Sequence, residues 1–342
     1  MQDFTRRGAL GLIGGATVAG LAAPRLARAA TSLNIGTFGG TYESILRSSV
    51  IPGFEAAHGA SVSLELGIGN TFIPKVIASR NNPPFDVVYV NEDEAIFGDT
   101  AGLWADIDPA EIPNLADVYD MAKPPVLPQY TAMIYEFGLA YNPDKMDAPT
   151  SWEDLWQSGI TVGVPHISAT YGIIFLMIAA QLNGGGAENM APGFEKLKQL
   201  DDMMIYKGVT DGFGKFQRGE MDAALFYTHR VQLLMDDGIN LALATPEEGT
   251  YGMRTGMQIP AHATNMDMAK EWVNTAMSPD YQLSFAPKLY SPSNKTVELP
   301  AELAAKHVYG ADKINSLRFA DWGVLNPQKP DLLAQWNKEF AN

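Results

Sequence analysis

The sequence predicts an α/β protein of two lobes with a cleft between them, and three observations support this prediction. The chain has 342 residues, which exceeds the roughly 250 residues at which one hydrophobic core stops growing. Strand-like and helix-like segments alternate along it, a pattern that favours a parallel or mixed sheet with helices on its faces. Two such sets of segments are present, separated near Asn142, and each set predicts one lobe.

Alternating apolar and polar residues identify most strands, and apolar residues three or four positions apart identify the helices. The first set comprises strands over 32–38, 62–66, 85–90 and 134–141 and helices over 42–54 and 71–79. The second set comprises a capped helix start at 151–155, strands over 161–164 and 223–227 and helices over 171–182 and 193–203. Open α/β sheets bind ligands at the carboxyl ends of their strands, so we expect the loops after Phe38, Val90, Val164 and Phe226 to face the cleft.

The composition excludes several classes of function. The 24 basic and 39 acidic residues give a net charge of −15, and an acidic surface repels nucleic-acid phosphates and anionic membranes. There is no Cys, which excludes disulfides, thiol nucleophiles and Cys-ligated metal centres. Motifs of serine hydrolases, zinc proteases and phosphate-binding loops are missing, and the five His are scattered. We therefore expect no catalytic residue, no cofactor and no metal.

Two alternatives from other classes stay open at this point. Carboxylates in the cleft together with His229 could serve an exported hydrolase. A structural protein of the cell envelope is the third possibility, and polar loops at the strand ends argue against it because they favour a pocket.

The first 29 residues have the layout of a twin-arginine export signal. Arg6 and Arg7 precede an apolar, Gly-rich stretch over 8–23, and the sequence Ala-Arg-Ala over 27–29 supplies small residues for cleavage. The stretch is shorter than the ~20 apolar residues that a membrane-spanning helix needs. We expect cleavage near Ala29 and a periplasmic protein, with an uncleaved anchor as the alternative.

Eight short motifs occur in an order that resembles a known family. They lie at 38–42, 85–88, 137–142, 150–155, 219–224, 258–263, 290–294 and 336–337. The order resembles the periplasmic solute-binding proteins of ABC importers, in particular the polyamine-binding (spermidine/putrescine) branch of the family-1 extracellular solute-binding proteins. The resemblance covers nearly the whole chain after the export signal.

The resemblance implies a type II clamshell, in which each lobe is a mixed sheet flanked by helices and a hinged cleft lies between the lobes. Lobe 1 would comprise 30–137 and 255–292, and lobe 2 would comprise 138–254 and 293–342. It also implies a monomer that closes on one small polar solute, which would be a polyamine, an amino-acid-like compound or an organic acid. The closed form would deliver the solute to an ABC permease in the inner membrane.

One candidate site comes from the first strand-to-helix turn. Gly40, Thr41 and Tyr42 lie there. Glycine lets the backbone approach a ligand closely, and the free N–H groups of the helix start can bind it. In the alternative interpretation Thr41 only caps the helix.

A second candidate site follows the strand over 85–90. Asn91, Glu92, Asp93 and Glu94 lie at its end, where three adjacent carboxylates could hold a cation. Alternatively they cap the next helix, whose start favours negative charge.

The resemblance adds further ligand-binding candidates in the second lobe and at the crossover. They are Thr170, Tyr171, Tyr227, Thr228, His229, Arg254, Thr255 and Tyr290. Polyamine binders of the family place Trp-x-Asp at the second crossover, where this chain has Met-Arg-Thr over 253–255. If Arg254 faces the cleft, its planar fork suits a carboxylate or phosphonate. Otherwise the carboxylates at 92–94 would hold an amine.

Overall fold

The computed structural model describes residues 31–123 and 130–340 of the chain. The expected export signal over 1–29 therefore lies outside the described residues. No helix among the residues that are described is long and apolar enough to cross a membrane.

The strands belong to one mixed sheet. They are β1 (Thr31–Thr37), β2 (Ala60–Leu66), β3 (Val87–Asn91), β4 (Tyr130–Tyr141), β5 (Thr161–Pro165), β6 (Asp202–Tyr206), β7 (Ala223–Tyr227), β8 (Ala242–Ala244), β9 (Tyr251–Gln258) and β10 (Ser291–Pro292). Their order is β2-β1-β3-β9-β4-β7-β5-β6, and β8 and β10 pair with β4. The two outer parts are parallel, since β2, β1 and β3 run together at one side and β7, β5 and β6 at the other. The mixed sheet predicted from the sequence is confirmed.

Helices cover the sheet. They are α1 (Thr41–Ile45), α2 (Ile51–His58), α3 (Gly69–Ala78), α4 (Glu92–Thr100), α5 (Thr170–Leu182), α6 (Ala191–Leu197), α7 (Val209–Gln217), α8 (Thr228–Asp236), α9 (Met266–Ala276), α10 (Pro279–Phe285), α11 (Ala301–Ala304), α12 (Ala311–Asn315), α13 (Trp322–Leu325) and α14 (Lys329–Phe340). A π-helical segment over Leu46–Val50 joins α1 to α2, and the capped start predicted at 151–155 is a short 3-10 helix over Trp152–Trp156 with Ser151 as its N-cap.

One predicted helix is wrong in its second half. The pattern over 193–203 predicts a single helix, but α6 ends at Leu197 and β6 begins at Asp202. Met203, Met204 and Ile205 are compatible with either state by propensity. Parallel pairing of their backbone with β5, from Thr161 opposite Asp202 onward, decides for the strand.

The long strand β4 connects the two outer parts of the sheet. Its residues from Tyr130 to Phe137 pair antiparallel with β9, and those from Phe137 to Tyr141 pair with β7. A Cβ on Gly256 of β9 would lie 2.1 Å from the carbonyl oxygen of Tyr130. Only glycine permits this close approach of the two backbones.

Separate hydrophobic clusters lie on the two sides of these central strands. The first cluster contains Leu33, Tyr89 and Trp272, and Val308, Ile314 and Leu317 from the C-terminal part of the chain join it. The second cluster contains Trp152, Phe175, Leu225, Trp322 and Trp336. A smaller group around Phe72 and Phe85 packs under α3. Their burial from water is the main favourable contribution to folding.

Candidate functional site

A cavity of about 380 Å³ opens at the carboxyl ends of the strands. It is lined by Phe38, Ile68, Asn91, Tyr135, Val209, Thr210, Phe213, Tyr227, His229, Arg230 and Met253. Phe38, Ile68 and Asn91 follow or end β1, β2 and β3, and Tyr227 ends β7. The central strands β4 and β9 contribute Tyr135 and Met253. This is the edge at which open α/β sheets bind ligands.

Four helices begin at the wall of this cavity. Ile68 and Asn91 are the N-caps of α3 and α4, Val209 and Thr210 open α7, and α8 begins directly after Tyr227. Each helix start carries a partial positive charge and free backbone N–H groups. The wall therefore favours a ligand with negative charge or with hydrogen-bond acceptors.

Glu94 occupies free backbone N–H groups at the starts of α3 and α4. Its carboxylate accepts a hydrogen bond from the backbone N–H of Asn91 (3.0 Å) and lies against Gly69 in the first turn of α3. Burial raises the pKa of Glu94 to about 8, and the neighbouring Asp93 charge adds to the rise. Glu94 thus already occupies backbone N–H groups on this side, so an anionic group is better accommodated near α7 and α8.

Arg230 is the cation of the cavity wall. It is half-buried in the first turn of α8 and forms no ion pair with a carboxylate of the described chain. Burial raises the pKa of Tyr290, and the nearby Arg230 offsets part of the rise. No acidic residue is among the described residues that line the cavity. A guanidinium in this setting is prepared to bind a carboxylate through its planar fork.

Aromatic rings surround the remaining wall. Tyr135 meets Tyr227 edge-on, with ring centroids 5.4 Å apart, and stacks on His229 at 5.2 Å. Burial raises the pKa values of Tyr135 and Tyr227 well above 10. Both phenols therefore stay neutral. The Tyr135 hydroxyl donates to the Met133 sulfur at 2.9 Å, the Tyr227 hydroxyl can donate to a solute, and the ring faces offer apolar contact for a carbon chain.

Asn91, Tyr227 and His229 are the sequence-predicted residues that line the cavity. Thr255 supports Asn91 from β9, because its hydroxyl donates to the Asn91 side-chain oxygen at 2.9 Å. Tyr290 lies just behind the wall, tilted against the His229 ring at 5.9 Å.

The first strand-to-helix turn does not line the cavity. Gly40 and Thr41 are exposed to solvent, and Gly40 has φ of 68°, the left-handed region that favours glycine. Tyr42 is buried in the first cluster, where its hydroxyl is 2.9 Å from that of Tyr281. The neighbouring Phe38 reaches the cavity instead.

Arg254 and Glu92 form a buried ion pair rather than part of the wall. Their side chains are 5% and 3% exposed, and Arg254 Nη1 lies 2.5 Å from Glu92 Oε1. Arg254 Nε donates to the Met121 carbonyl at 2.8 Å, and the guanidinium stacks 3.7 Å above the Phe319 ring. These contacts occupy the guanidinium, so Arg254 has a structural role.

Asp93 is paired as well. Lys329 Nζ lies 2.6 Å from its carboxylate, and the Thr170 hydroxyl donates to it at 3.2 Å. With Glu92 and Glu94 also engaged, the carboxylates that start α4 favour the helix-capping interpretation over a cation site. No group of three or more metal-ligating side chains occurs within 31–123 and 130–340.

Two more of the predicted residues, Tyr171 and Thr228, lie behind the wall rather than in it. Tyr171 is buried against the rings of Phe137 and Tyr227. The Thr228 methyl group packs against Gly138 of β4, where a Cβ would be only 2.8 Å away.

Sequence reasoning missed Arg230, Thr210 and Phe213. The last two, with Val209, follow β6, the strand that was assigned to a helix, so the loop after it was not considered. Arg230 follows His229 directly, and its signal was available as a cation three residues beyond the predicted strand end at Tyr227.

The fold and the cavity define a class: two-part α/β proteins that hold a small solute at the strand ends between the parts. Residues 39–283 match the model of the family described as "Bacterial extracellular solute-binding protein", and the chain belongs to that family. Its members bind solutes and are not enzymes, which removes the hydrolase alternative.

Curated relatives and solved structures agree with this assignment. A γ-aminobutyric acid-binding protein of Pseudomonas aeruginosa is 22% identical over 314 residues, which cover 85% of this chain and 88% of that protein. An uncharacterized protein of Haemophilus influenzae is 26% identical over 234 residues, or 63% of this chain and 64% of its own length.

Two structures show the same architecture. A Clostridium perfringens ABC transporter structure has 27% identity and a TM-score of 0.78, covering 90% of this chain and 99% of its own. The spermidine/putrescine transporter substrate-binding protein PotD of Streptococcus pneumoniae has 17% identity and a TM-score of 0.72, covering 91% and 99%. The two-lobed fold expected from the sequence is confirmed.

Proposed function

We propose that this protein is the receptor of an ABC importer and captures a small organic solute bearing a carboxylate, such as an amino-acid-like compound or an organic acid. The observation that carries the proposal is Arg230, a half-buried cation in the cavity wall without a carboxylate partner in the described chain. The starts of α7 and α8 add positive potential on the same side.

The solute's carbon chain would lie along the aromatic wall. A cavity of about 380 Å³ is within the range of small-molecule sites. The name of the Pseudomonas aeruginosa relative, a γ-aminobutyric acid-binding protein, is consistent with a carboxylate solute. A polyamine has no carboxylate for Arg230 to bind, and no carboxylate among the described lining residues would pair with its ammonium groups.

The remaining parts of the function are proposals of the same kind. The two lobes would comprise 30–137 with 255–292 and 138–254 with 293–342, except that Val308, Ile314 and Leu317 would belong to lobe 1 because they pack in the first cluster. A monomer would be exported by the twin-arginine signal, cleaved near Ala29 and retained in the periplasm. Closure of the lobes on the solute would present the complex to the permease.

A thermal-shift screen of the chain from Ala30 tests the proposed ligand class. The panel contains γ-aminobutyrate, other amino acids, opine-like conjugates, dicarboxylates, putrescine and spermidine. A ligand at 100 times its dissociation constant stabilises a protein by about 2.7 kcal/mol. We expect a shift with carboxylate solutes and none with polyamines. A shift with polyamines alone would contradict the proposal.

The variant Arg230→Met links the shift to the site. It should weaken carboxylate binding by about 1.5–3 kcal/mol, or roughly 10- to 100-fold, because a charge-assisted hydrogen bond is lost. The variant Arg47→Met is a matched control, since Arg47 lies on the surface in an ion pair with Glu43. Equal affinities of the two variants would remove Arg230 from the site.

A further inference from the structure

His229 is an imidazole in the cavity wall without a protein partner. The residue is only 7% exposed; its ring nitrogens form no hydrogen bond within the described part of the chain, and they are not fully shielded from solvent. Because His229 lines the cavity, a bound solute can replace solvent as the hydrogen-bond partner of the ring.

The groups around His229 come from several elements of the fold. Tyr135 of β4, Tyr227 of β7 and Tyr290 before β10 surround the ring with centroids at 5.2–5.9 Å. Burial keeps these three phenols neutral by raising their pKa values. The charged neighbour is Arg230 on the same helix, and His307 approaches from the segment after α11.

These surroundings keep the imidazole neutral in the free protein. Burial, the Arg230 charge and His307 lower the pKa of His229 well below 6.5, in that order of importance. The start of α8 acts in the same direction, because a helix N-terminus disfavours a cation. A carboxylate next to Arg230 would cancel the largest of the neighbouring charges.

We propose that His229 takes up one proton from solvent when a carboxylate solute binds at Arg230, so that the solute and a proton are captured together. The inference rests on the proposed function of the cavity. The free cavity holds the single positive charge of Arg230. In the loaded cavity the charges of Arg230, protonated His229 and the carboxylate would again sum to one positive charge, and the imidazolium would donate a hydrogen bond to the carboxylate.

The sign of the resulting pH dependence follows from linkage. The pKa of His229 is higher with the solute than without it, so affinity rises as the pH falls from the bound-state value to the free-state value. Each unit of difference makes binding about tenfold tighter over that interval. The gain ends where the carboxylate itself is protonated, near pH ~4.

Isothermal titration calorimetry measures the proton directly. γ-Aminobutyrate is titrated between pH 5 and 7.5 in two buffers of different ionisation enthalpy, and the difference in heat counts the protons bound. We expect uptake of up to about one proton below neutral pH for the wild type. His229→Gln should take up none and should bind with an affinity that changes little with pH. His58→Gln is the matched control, because that ring also stacks on an aromatic neighbour, Phe54, at 4.4 Å.

Nuclear magnetic resonance of ¹⁵N-histidine-labelled wild type measures the protonation of the His229 ring without a variant. The His229 ring should change from neutral to protonated on adding the solute near pH 5.5. A solute that binds without proton uptake or a change in the ring signal overturns this inference and leaves the proposed function standing. Failure of every carboxylate solute to bind overturns the proposed function and this inference with it.

Discussion

The buried pair of Glu92 and Arg254 gives the sharpest stability prediction. Replacing Arg254 by Met keeps an apolar side chain over the Phe319 ring but leaves Glu92, which is 2% exposed, without its cation. One Glu92 oxygen, Oε2, already has no hydrogen-bond partner. The variant must then either bury an unpaired charge or protonate Glu92.

The stability that Arg254→Met loses is limited by the free energy of protonating Glu92. Protonating a carboxyl group of ordinary pKa 4.5 at pH 7 costs about 3.4 kcal/mol, because each pH unit corresponds to about 1.36 kcal/mol. Burial raises the pKa of Glu92 even beside Arg254, so the wild type already bears part of this cost. We expect the variant to lose about 2–3 kcal/mol of stability at pH 7, near the range for broken buried pairs.

The pH dependence identifies the mechanism. A carboxyl group whose folded-state pKa is raised loses stability as the pH rises above its unfolded-state value. Urea denaturation should therefore show a loss for Arg254→Met that is small at pH 5 and large at pH 7. The double variant Glu92→Gln, Arg254→Met should recover most of the loss at pH 7.

Arg230→Met is the matched control, because it makes the same substitution at an arginine without a carboxylate partner. Its stability should change by no more than about 0.5 kcal/mol. If Arg254→Met is as stable as this control, or if its loss is the same at both pH values, the assignment of Arg254 to a buried pair is refuted.

Two further predictions concern the central strands and the start of α4. Gly256→Ala should cost about 1–3 kcal/mol in urea denaturation, since its Cβ would meet the Tyr130 carbonyl oxygen at 2.1 Å. Gly53→Ala is the control, because a Cβ at Gly53 would have no atom within 4 Å; it should stabilise α2 by up to about 1 kcal/mol. Equal changes in stability for the two variants would count against the close approach of Gly256 to Tyr130. The wild type should lose stability between pH 5 and 8, because the raised pKa of Glu94, about 8, makes its ionisation unfavourable in the folded state. Glu94→Gln should remove this loss. The same dependence of stability on pH in the variant and the wild type would contradict this prediction.

Much of the fold follows from the sequence because its strands have clear patterns. The alternation over 32–38 and the apolar run over 85–90 are signals of local sequence, and β1 and β3 lie within a residue or two of them. β6 lacks such a signal, since it lies at the edge of the sheet. Its state is decided by pairing with β5, which is distant in sequence.

The site is less accessible to sequence reasoning for a related reason. Strand ends predicted Asn91, Tyr227 and His229 as ligand-binding candidates, and these three line the cavity, because strand order brings those ends together. Whether Arg230 or Arg254 faces the solute depends on which of them is paired with a carboxylate far along the chain. Arg254 meets Glu92, 162 residues away, and this contact has no local signature, so the sequence could not separate Arg254 from Arg230.

The most direct test compares the two arginines in one binding measurement. Calorimetric titration of the solute found by the screen is carried out with wild type, Arg230→Met and Arg254→Met at a temperature where all three are folded. We predict that Arg230→Met binds roughly 10- to 100-fold more weakly and that Arg254→Met binds as tightly as wild type. Loss of affinity in Arg254→Met with full affinity in Arg230→Met would contradict the account.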